Sequence, residues 1–479
     1  MQITREKHQT KIICSLDSVG LKPDYAKELS DRTDIAALRI LYDPRNTKKI
    51  LEFIPLVEEF RSPGLNKIPI MIDVGSFPRA SVAKVKPEED LQYAQILTIS
   101  KAGKGGDIEI NTEDWQSLFA KDESVFFGFG SIECRALEIG KDQVKVKVLK
   151  GGGLVAGTAI HVPATRKAPS IFDLSYIDIK PFQELGVDYV VLPGVNSARE
   201  IAVVRKKLQS ESFKSPWLLI RVDHLDVYEK VNDLLDEADG VLISRRDLAL
   251  TMEAATVPMV CKEIIRECNK KAKLAIIASD ILGSLQFNPT PTRAEVSDIA
   301  NAVMDGTDAV VLSEEVAHGK HLMRGLTLCR NIILDIEEQQ TEAEVNWKQE
   351  KLAINNELDA VSFHAFKTAQ RVKAKAIVCL TKEGNTALRL ASFRTTVPVI
   401  AVTFSEEVKR RLSLVRGVYS MVLDIAPHLD EVLPVVNKQL KREGWLRSGD
   451  KIVFVTVTLS SVGREASNLF TIQSVDRLK

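Results

Sequence analysis

Residues 288–313 read NPTPTRAEVSDIANAVMDGTDAVVLS, and this stretch decides the fold. It opens with a proline-spaced turn, and residues 292–295 follow at the position where a helix is expected to begin. Residues 305–308, Asp-Gly-Thr-Asp, then turn the chain into the apolar run at 309–313. A turn, a helix and a buried strand in this order form one α/β unit.

Short apolar runs of strand length recur along the chain, with helix-length stretches between them. They lie at residues 11–16, 37–41, 68–73, 189–192, 217–221, 240–244, 274–278 and 309–313. Continuous apolar strands that alternate with helices are typical of a parallel sheet buried on both faces. Eight such units predict a TIM barrel, whose chemistry takes place at the carboxyl ends of the strands.

An insertion between the third and fourth of these strands has a different pattern. Its residues alternate in polarity, as at 144–149, and glycine clusters stand at 103–106 and 150–153. Neither cluster leads into a helix, so hairpin turns are favoured over phosphate-binding loops. The pattern predicts a small antiparallel β domain over residues 78–163.

A third domain follows the barrel. A charged run at 335–351 is interpreted as a helix and linker, and strands are expected at 376–380, 397–402 and 451–455, again alternating with helices. The predicted organisation is therefore a TIM barrel over 1–77 and 164–345, the inserted domain over 78–163, and a C-terminal α/β domain over 352–479.

Composition excludes several classes of protein. Lys plus Arg and Asp plus Glu both number 65, whereas proteins that bind nucleic acid or membrane surfaces normally carry a basic excess. The six cysteines form no Cys-x-x-Cys pair, which favours reduced thiols over disulfides or zinc. No apolar run approaches the ~18 residues of a membrane span, and residues 1–10 lack a signal core. A cytoplasmic protein is expected.

The chain resembles the pyruvate kinase family over essentially its whole length. The resemblance rests on the stretch at 288–313, on the opening strand at 10–15, and on two C-terminal stretches at 373–377 and 410–419. It implies transfer of the phosphoryl group of phosphoenolpyruvate to ADP, giving ATP and an enolate that is protonated to pyruvate. It also implies a homotetramer or homodimer, because family barrels pair through the 288–313 region and the C-terminal domains pair again.

The resemblance assigns roles at the ends of strands five to seven. In the family, a lysine touches the phosphoryl group and two carboxylates hold a divalent ion; here Arg221 stands for the lysine, and Asp223 and Asp247 for the carboxylates. Mg²⁺ or Mn²⁺ is the expected cofactor. A planar guanidinium is not equivalent to a compact ammonium, and a structural ion pair between Arg221 and Asp223 is the alternative. Ser279 keeps the hydroxyl that serves the enolate proton relay.

A second family cluster, at strands two and three, is more altered. Ala37 replaces the phosphate-binding arginine, Leu41 replaces an oxygen ligand of a monovalent cation, and Thr158 replaces the lysine that closes the insertion. Asp73 is retained, and Arg39 is expected to face it, either supplying the missing positive charge or merely neutralising Asp73. Since Leu41 is apolar and Arg39 is a fixed cation, no K⁺ requirement is expected.

The remaining candidates are substrate and effector contacts. Arg246 replaces a glycine of the strand-six motif, where it either offers a fork to an anion or plugs the mouth of the barrel. The resemblance implies that substrate is bound by Asp73, Arg246, Thr292, Arg293 and Glu295. An effector phosphate loop is implied at Thr381, Lys382, Gly384, Asn385 and Thr386, with a solvated turn as the alternative. His318 and His321 are interpreted as surface residues.

Two functions remain open. The first is an enzyme that forms pyruvate and ATP from phosphoenolpyruvate and ADP, with weak activity because catalytic positions are substituted. The second is a non-catalytic binding or regulatory protein that partners an active paralogue. Retained Asp247 and Ser279 favour the first, whereas Ala37, Leu41 and Arg221 favour the second.

Overall fold

Eight parallel strands close into a barrel in the computed structural model of the chain, as predicted. The structure describes residues 9–16, 29, 34–42, 50–60, 68–74, 80–86, 90–112, 115–128, 130–161, 180–210, 216–279, 281–313, 321–340, 354, 356–423, 429–459 and 466–475. The barrel strands, in chain order, are β1 Lys11–Leu16, β2 Ile35–Tyr42, β3 Ile70–Val74, β11 Tyr189–Leu192, β12 Trp217–Val222, β13 Gly240–Ser244, β14 Leu274–Ala278 and β15 Ala309–Leu312. Around the barrel they follow the order β1-β15-β14-β13-β12-β11-β3-β2.

The alternation of side chains along each barrel strand determines what reaches the interior. In β12, Leu218 and Ile220 pack outward against the helices. Leu219 points inward, into a core that it shares with residues of the other strands. Because successive side chains point to opposite faces, Arg221 also lies on the inner face, above Leu219. Polar residues near the carboxyl ends of the strands therefore meet at one mouth of the barrel.

Helices cover the outside of the barrel. They are α1 Ile54–Phe60, α3 Lys180–Glu184, α4 Ala198–Ser210, α5 Leu225–Glu229, α6 Val231–Glu237, α7 Arg245–Thr251, α8 Val257–Lys270, α9 Arg293–Asp305 and α10 Leu322–Gln339, with a 3₁₀ turn at Gly283–Gln286. The charged run predicted as a helix and linker is helical up to Gln339 within α10, and residues 341–353 lie outside the described residues. In the described part of the chain, none of the helices is long and apolar enough to cross a membrane.

The insertion forms a second closed barrel of seven strands, in the order β10-β4-β6-β5-β9-β8-β7. Its elements are β4 Ala80–Val85, β5 Ile96–Lys101, β6 Ile108–Thr112, α2 Trp115–Leu118, β7 Ser124–Phe127, β8 Ile132–Ile139, β9 Gln143–Lys150 and β10 Ala159–His161. Its strand pairs are antiparallel except β5 with β6, which is parallel. Gly103 and Gly105 adopt positive φ between β5 and β6, where they form a turn and not a phosphate loop.

The C-terminal domain is a five-stranded sheet in the order β18-β17-β16-β19-β20, in which only the last pair is antiparallel. Its elements are α11 Glu357–Arg371, β16 Ala376–Leu380, α12 Asn385–Ser392, β17 Val399–Thr403, α13 Glu406–Arg411, a 3₁₀ turn Leu412–Leu414, β18 Val418–Val422, α14 Leu429–Arg442, β19 Lys451–Leu459 and β20 Ala466–Ser474. The three predicted strands are present. The predicted domain boundaries fall at residues outside the described ranges, so their positions stay predictions.

The base of the barrel and the C-terminal domain share one apolar core, which contains Trp217 and Leu274 from the barrel and Phe366 and Leu412 from the C-terminal domain. Buried ion pairs cross the same interface. The guanidinium of Arg394 donates to both carboxylate oxygens of Asp308 at 2.8 and 2.9 Å. Arg410 donates from Nε to Asp188 at 2.7 Å. Polar and apolar contacts thus fix the C-terminal domain against the barrel.

Strand β1 and the two residues before it are held by hydrogen bonds from two distant parts of the chain. Glu337 of α10 accepts hydrogen bonds from the backbone amides of Gln9 and Thr10, at 2.6 and 2.8 Å. From the C-terminal domain, the amide of Gly417 donates to the carbonyl of Gln9 at 3.1 Å. The ammonium of the buried Lys11 donates to the carbonyl of Val418, also at 3.1 Å.

Candidate active site

A buried cluster of three charged side chains lies inside the mouth of the barrel. Arg39 of β2 donates from Nε to Asp73 Oδ2 at 2.7 Å, and its Nη2 lies 2.5 Å from the same oxygen. Arg221 of β12 donates to the other oxygen, Asp73 Oδ1. The second terminal nitrogen of Arg39, Nη1, donates to Ser15 Oγ at 2.9 Å. Two guanidinium groups thus share one carboxylate, and the cluster carries a net charge of +1.

The protonation states of this cluster follow from its contacts. Burial would raise the pKa of Asp73, but the charges of Arg221 and Arg39 and their hydrogen bonds outweigh it, so the pKa is lowered. Burial would lower the pKa of Arg221, but Asp73 and Asp223 raise it. All three side chains are therefore ionised at neutral pH. The predicted contact between Arg39 and Asp73 is confirmed, and Arg221 pairs with Asp73, not with Asp223 as in the structural alternative.

Asp223 and Asp247, the predicted metal ligands, lie at the same mouth. Asp223 follows the end of β12, and Asp247 lies in the first turn of α7, directly after β13. The pKa of Asp223 is raised to about 7, because burial and the negative charge of Asp247 together outweigh the opposing charge of Arg221. The two carboxylates are thus close enough to repel each other. A divalent cation bound between them would relieve this repulsion.

A chain of hydroxyl groups connects Asp247 with Ser279. Ser244, the last residue of β13, donates from Oγ to Asp247 Oδ2 at 2.6 Å. Its oxygen lies 3.0 Å from Ser279 Oγ at the end of β14. Since the Ser244 hydroxyl donates to Asp247, it accepts from Ser279. Ser279 has a φ of 70°, an unusual conformation for a residue other than glycine and one that is concentrated at functional sites.

Two arginines begin helix α7. Arg245 donates from Nη2 to the carbonyl of Ser279 at 2.8 Å, and its Nη1 lies 3.1 Å from Asp298 Oδ2. It therefore fixes the end of β14 that carries Ser279. Arg246 is half-buried in the same turn of α7 as Asp247. Its predicted contact with substrate stays a prediction.

The insertion contributes a histidine to this region. His161 is the last residue of β10, and burial lowers its pKa while the charge of Asp247 raises it. A further contact joins the two domains, since a Cβ atom on Gly130 would lie 3.2 Å from the side chain of Leu250 in α7. The insertion therefore lies against the helix that carries Asp247. Thr158, at the substituted lysine position, donates locally to the carbonyl of Val155 at 2.7 Å.

Thr292 and Glu295 form a capping box at the start of α9. The Thr292 hydroxyl accepts from the amide of Glu295 at 3.3 Å, and the Glu295 carboxylate accepts from the amide of Thr292 at 2.8 Å. Glu295 also accepts from the amide and hydroxyl of Ser284, at 2.7 and 2.6 Å. This geometry gives both residues a structural role as a cap. Contacts of Thr292, Arg293 and Glu295 with substrate stay predictions.

The predicted effector loop leads from β16 into α12. Thr381 accepts from the amide of Gly384 at 2.9 Å, and Gly384 has a φ of 99° at the N-cap of the helix. Thr386 is buried, whereas Lys382 and Asn385 are exposed. The amides of the first turn of a helix have no intrahelical acceptor, so the loop geometry suits an anion. Most of residues 458–463, the other half of the implied effector site, lie outside the described residues, as does His318.

Sequence reasoning missed Ser244 and His161. The sequence marks both residues only weakly. Ser244 is a serine at the end of an apolar strand, and His161 is a histidine at the end of a short strand. Ser244 could have been found from the last residue of each predicted barrel strand, because the catalytic residues of such barrels lie at those ends. No signal within the sequence places His161 near Asp247, because the two residues belong to different domains.

The pyruvate kinase barrel-domain profile matches residues 9–325, and the family's alpha/beta-domain profile matches residues 359–472. The chain belongs to the pyruvate kinase family. The pyruvate kinase of Geobacillus stearothermophilus is 32% identical over 356 residues, which cover 73% of this chain and 60% of that protein. The pyruvate kinase of Sporosarcina psychrophila is 25% identical over 98% of this chain and 81% of its own length.

Further comparisons agree. The pyruvate kinase of Clostridium perfringens is 26% identical over 93% of this chain and 95% of its own length. A solved structure titled Cryptosporidium parvum pyruvate kinase in complex with ADP superposes with a TM-score of 0.84 at 23% identity, covering 98% of this chain and 96% of that one. This similarity shows the same fold. The family and fold predicted from the sequence are therefore confirmed.

Proposed function

We propose that this pyruvate kinase homologue transfers the phosphoryl group of phosphoenolpyruvate to ADP, giving pyruvate and ATP, with low turnover. One observation carries the proposal: Asp223 and Asp247 follow neighbouring strands at the barrel mouth, where the charge of Asp247 acts on Asp223 and the hydroxyls of Ser244 and Ser279 extend in series from Asp247. A protein without chemistry at this mouth would have no need to gather repelling carboxylates there, because their proximity costs free energy.

The carboxylate pair fits a divalent metal ion. Mg²⁺ and Mn²⁺ prefer oxygen ligands and keep several positions for water and substrate phosphates. Asp223 and Asp247 would hold the ion, and it would neutralise charge on the transferring phosphoryl group. In the described part of the chain, no three side chains of His, Cys, Asp or Glu form a metal-binding group. Water and substrate phosphates would complete the coordination of the ion.

The side chains at the barrel mouth have separate roles in positioning the substrate and in moving protons. Arg221 and Arg39 supply the positive field for the phosphoryl group, as electrostatic stabilisation of phosphoryl transfer requires. Arg246 and Arg293 are assigned to substrate anions. Ser279 delivers a proton toward the enolate and takes its replacement from water at the mouth, while Ser244, which donates to the Asp247 carboxylate, orients the Ser279 hydroxyl.

Turnover is low because part of the positive charge at the barrel mouth is already paired with a carboxylate. Asp73 neutralises one of the two guanidinium groups. A guanidinium held by a carboxylate cannot follow the moving phosphoryl group as a lysine ammonium does. The same pairing favours the second candidate, a non-catalytic protein that binds ligands or a paralogue, because it fills the position of the family lysine with a structural ion pair.

The expected partners follow from this site. They are phosphoenolpyruvate, ADP and ATP, and copies of the same chain in a homodimer or homotetramer. Neither nucleic acid nor membrane is expected as a partner, K⁺ is not expected as a cofactor, and the proposed compartment is the cytoplasm. The effector loop at 381–386 is proposed to take a phosphate group, because Gly384 opens the start of α12 to an anion.

A coupled assay of pyruvate formation tests the proposal. Turnover should require Mg²⁺ or Mn²⁺ and should be lost in Asp247→Asn, while the exposed control Asp233→Asn keeps it. Ser244→Ala should lower kcat by about tenfold or more, since positioned proton transfer contributes roughly 10² to 10⁴. Turnover that is equal with and without divalent metal would overturn the metal assignment. No turnover under any condition would select the non-catalytic candidate.

A further inference from the structure

Two residues other than glycine adopt the left-handed backbone conformation just beyond strand β14. Ser279 has a φ of 70°, and Leu282 has a φ of 58° and a ψ of 28°. This conformation brings Cβ close to a carbonyl oxygen and costs free energy in any residue with a side chain, and it is rarest in bulky residues such as leucine. Such strain persists only where the surrounding structure holds it. Contacts from other elements must therefore keep these two residues in place.

The side chain of Leu282 holds the far end of this segment. It is fully buried in the apolar core outside the barrel strands, together with Ile281 and Leu285. Two residues further on, the amide and the hydroxyl of Ser284 donate to the carboxylate of Glu295 at 2.7 and 2.6 Å. Because Glu295 lies in the first turn of α9, burial and these two hydrogen bonds fix the backbone after Leu282 to that helix.

The side chain of Arg245 holds the near end. Its Nη2 donates to the carbonyl of Ser279 at 2.8 Å, and its Nη1 lies 3.1 Å from Asp298 Oδ2. Asp298 comes three residues after Glu295, about one turn along α9, so the helix that holds Ser284 also orients Arg245. A charged hydrogen bond is shorter and stronger than a neutral one. The guanidinium therefore resists rotation of the peptide group that follows Ser279.

We propose that Arg245 is a positioning residue for Ser279, which it keeps in the left-handed conformation so that its hydroxyl stays beside Ser244. Ser279 Oγ lies 3.0 Å from Ser244 Oγ, which donates to Asp247 at 2.6 Å. Because φ sets the direction of the side chain relative to β14, relaxation to a negative φ would move the Ser279 hydroxyl away from Ser244. The consequence for catalysis rests on the proposed function, in which Ser279 gives its proton to the methylene carbon of the enolate and recovers one from water.

Hydrogen–deuterium exchange of the full chain tests the positioning without any need for turnover. The backbone amides of residues 281–286 should exchange about tenfold faster in Arg245→Met than in the parent protein, the equivalent of one charge-assisted hydrogen bond. Arg245→Lys should restore part of the protection, since an ammonium also donates to a carbonyl. Arg199→Met, at an exposed arginine of α4, is the matched control and should leave these amides unchanged. Equal exchange in Arg245→Met and the control would overturn the proposal.

Two rates test the consequence for proton transfer. They are turnover in the coupled assay, and exchange of the methyl hydrogens of pyruvate with deuterated water, followed by NMR with Mg²⁺ and inorganic phosphate present. Since positioned proton transfer contributes roughly 10² to 10⁴, Arg245→Met should lower kcat and the exchange rate about 10- to 100-fold and leave KM for phosphoenolpyruvate within about twofold. In a Ser279→Ala background the same substitution should lower the rates no further, because Arg245 acts through Ser279. An equal fold loss in both backgrounds would overturn the proposal.

A milder variant keeps the test independent of the folding of Arg245→Met. Asp298→Asn leaves Arg245 in place and removes the partly exposed carboxylate that orients it, so both rates should fall about two- to fivefold, the value of a partly exposed ion pair. Rates equal to those of the exposed control Asp233→Asn would count against the proposal. A parent protein with neither turnover nor methyl exchange would overturn the proposed function, and the amide exchange of Arg245→Met would then decide the positioning role alone.

Discussion

Asp73 is the residue on which the barrel mouth depends. It is fully buried, and it pairs with both Arg39 from β2 and Arg221 from β12, so that it offsets one of their two positive charges. Removal of one partner from a buried ion pair leaves an uncompensated charge, which costs far more than the pair itself contributes. The stability of the mouth and its electrostatic field are therefore set by one carboxylate.

Replacement of Asp73 by Asn should lower the free energy of unfolding by about 3 to 5 kcal/mol, because two buried guanidinium groups then repel each other without a carboxylate between them. Urea denaturation measures the change, and the exposed Asp233→Asn serves as control. A loss below about 0.5 kcal/mol, the size of a surface substitution, would contradict the ion-pair interpretation.

The same carboxylate makes stability depend on pH. Its pKa is lowered in the folded protein, so its contribution is fully present above the unfolded value of about 3.9. That contribution is lost as the pH falls through the folded pKa. The difference in stability between the parent protein and Asp73→Asn should therefore shrink only in strong acid.

Arg39 leads to a prediction about monovalent cations. Its guanidinium occupies Oδ2 of Asp73, Arg221 occupies Oδ1, and Leu41 offers no oxygen ligand. A bare cation needs several oxygens to replace its hydration shell, whereas a guanidinium needs one carboxylate. Turnover should therefore be the same in K⁺ and Na⁺, and Arg39→Asn should lower it without creating a K⁺ requirement. A rate in the parent protein that rises steeply with K⁺ over Na⁺ would refute the idea.

The residues of the site could be named from the sequence, but not their contacts. Arg39 and Asp73 are 34 positions apart, and Arg221 lies 148 positions beyond Asp73. The resemblance placed all three at strand ends, and the predicted pair of Arg39 with Asp73 was confirmed. Local sequence patterns do not determine whether Arg221 pairs with Asp73 or with Asp223. That choice depends on the packing of side chains inside the barrel.

At the scale of elements, strands buried on both faces were predictable. Each barrel strand is an apolar run that ends in turn residues, and its bounds agree with the prediction within a few positions. Strands β18 and β20 were missed because they are the two edges of the C-terminal sheet. Edge strands are partly solvated, and polar residues such as Ser420 and Gln473 interrupt their apolar pattern. Their pairing depends on neighbours that are remote in sequence.

The capping box of α9 gives a prediction at this scale. Glu295→Gln weakens four hydrogen bonds, to Ser284 and to Thr292. The expected loss in the free energy of unfolding is about 1 kcal/mol, the usual value of a helix cap, since the site is partly exposed. Glu357→Gln, in the first turn of α11, is the matched control. An equal effect of both substitutions would contradict a specific cap.

The pH dependence of that cap has a definite sign. Burial would raise the pKa of Glu295, but the hydrogen bonds from Ser284 and Thr292 outweigh it and lower the pKa. The stabilisation is therefore present above the unfolded value of about 4.3 and is lost as the pH falls through the folded pKa. Melts at neutral and acidic pH should show the parent protein approaching Glu295→Gln in acid.

At the scale of the whole molecule, Asp308 and Arg394 couple the barrel to the C-terminal domain. Arg394→Met removes both charged hydrogen bonds and leaves Asp308 buried. We expect a loss of about 3 kcal/mol or more, together with a calorimetric transition that broadens or splits as the domains unfold separately. The surface substitution Arg371→Met is the control. A single sharp transition at the parent Tm would show that the apolar core alone couples the domains.

Two exposed apolar regions support the predicted assembly into dimers or tetramers. Phe287, next to the 288–313 stretch, is 80% exposed, and Leu469 and Ile472 of the edge strand β20 are 52% and 49% exposed. An unpaired edge with apolar side chains is prone to pair with another chain. Phe287→Asp and Leu469→Lys should each reduce the mass measured by light scattering. A parent protein that is monomeric at micromolar concentration would remove the basis of this prediction.

The contacts that hold β1 in place affect how the protein folds during its synthesis on the ribosome. Strand β1 leaves the exit tunnel long before its neighbour β15, Glu337 and Val418, which are synthesised more than 290 residues later. At about 5 to 20 residues per second, the nascent strand waits on the order of 15 seconds or longer for its partner. Closure of the barrel is thus a late step of synthesis, and chaperones that shield apolar nascent segments have a long interval in which to bind.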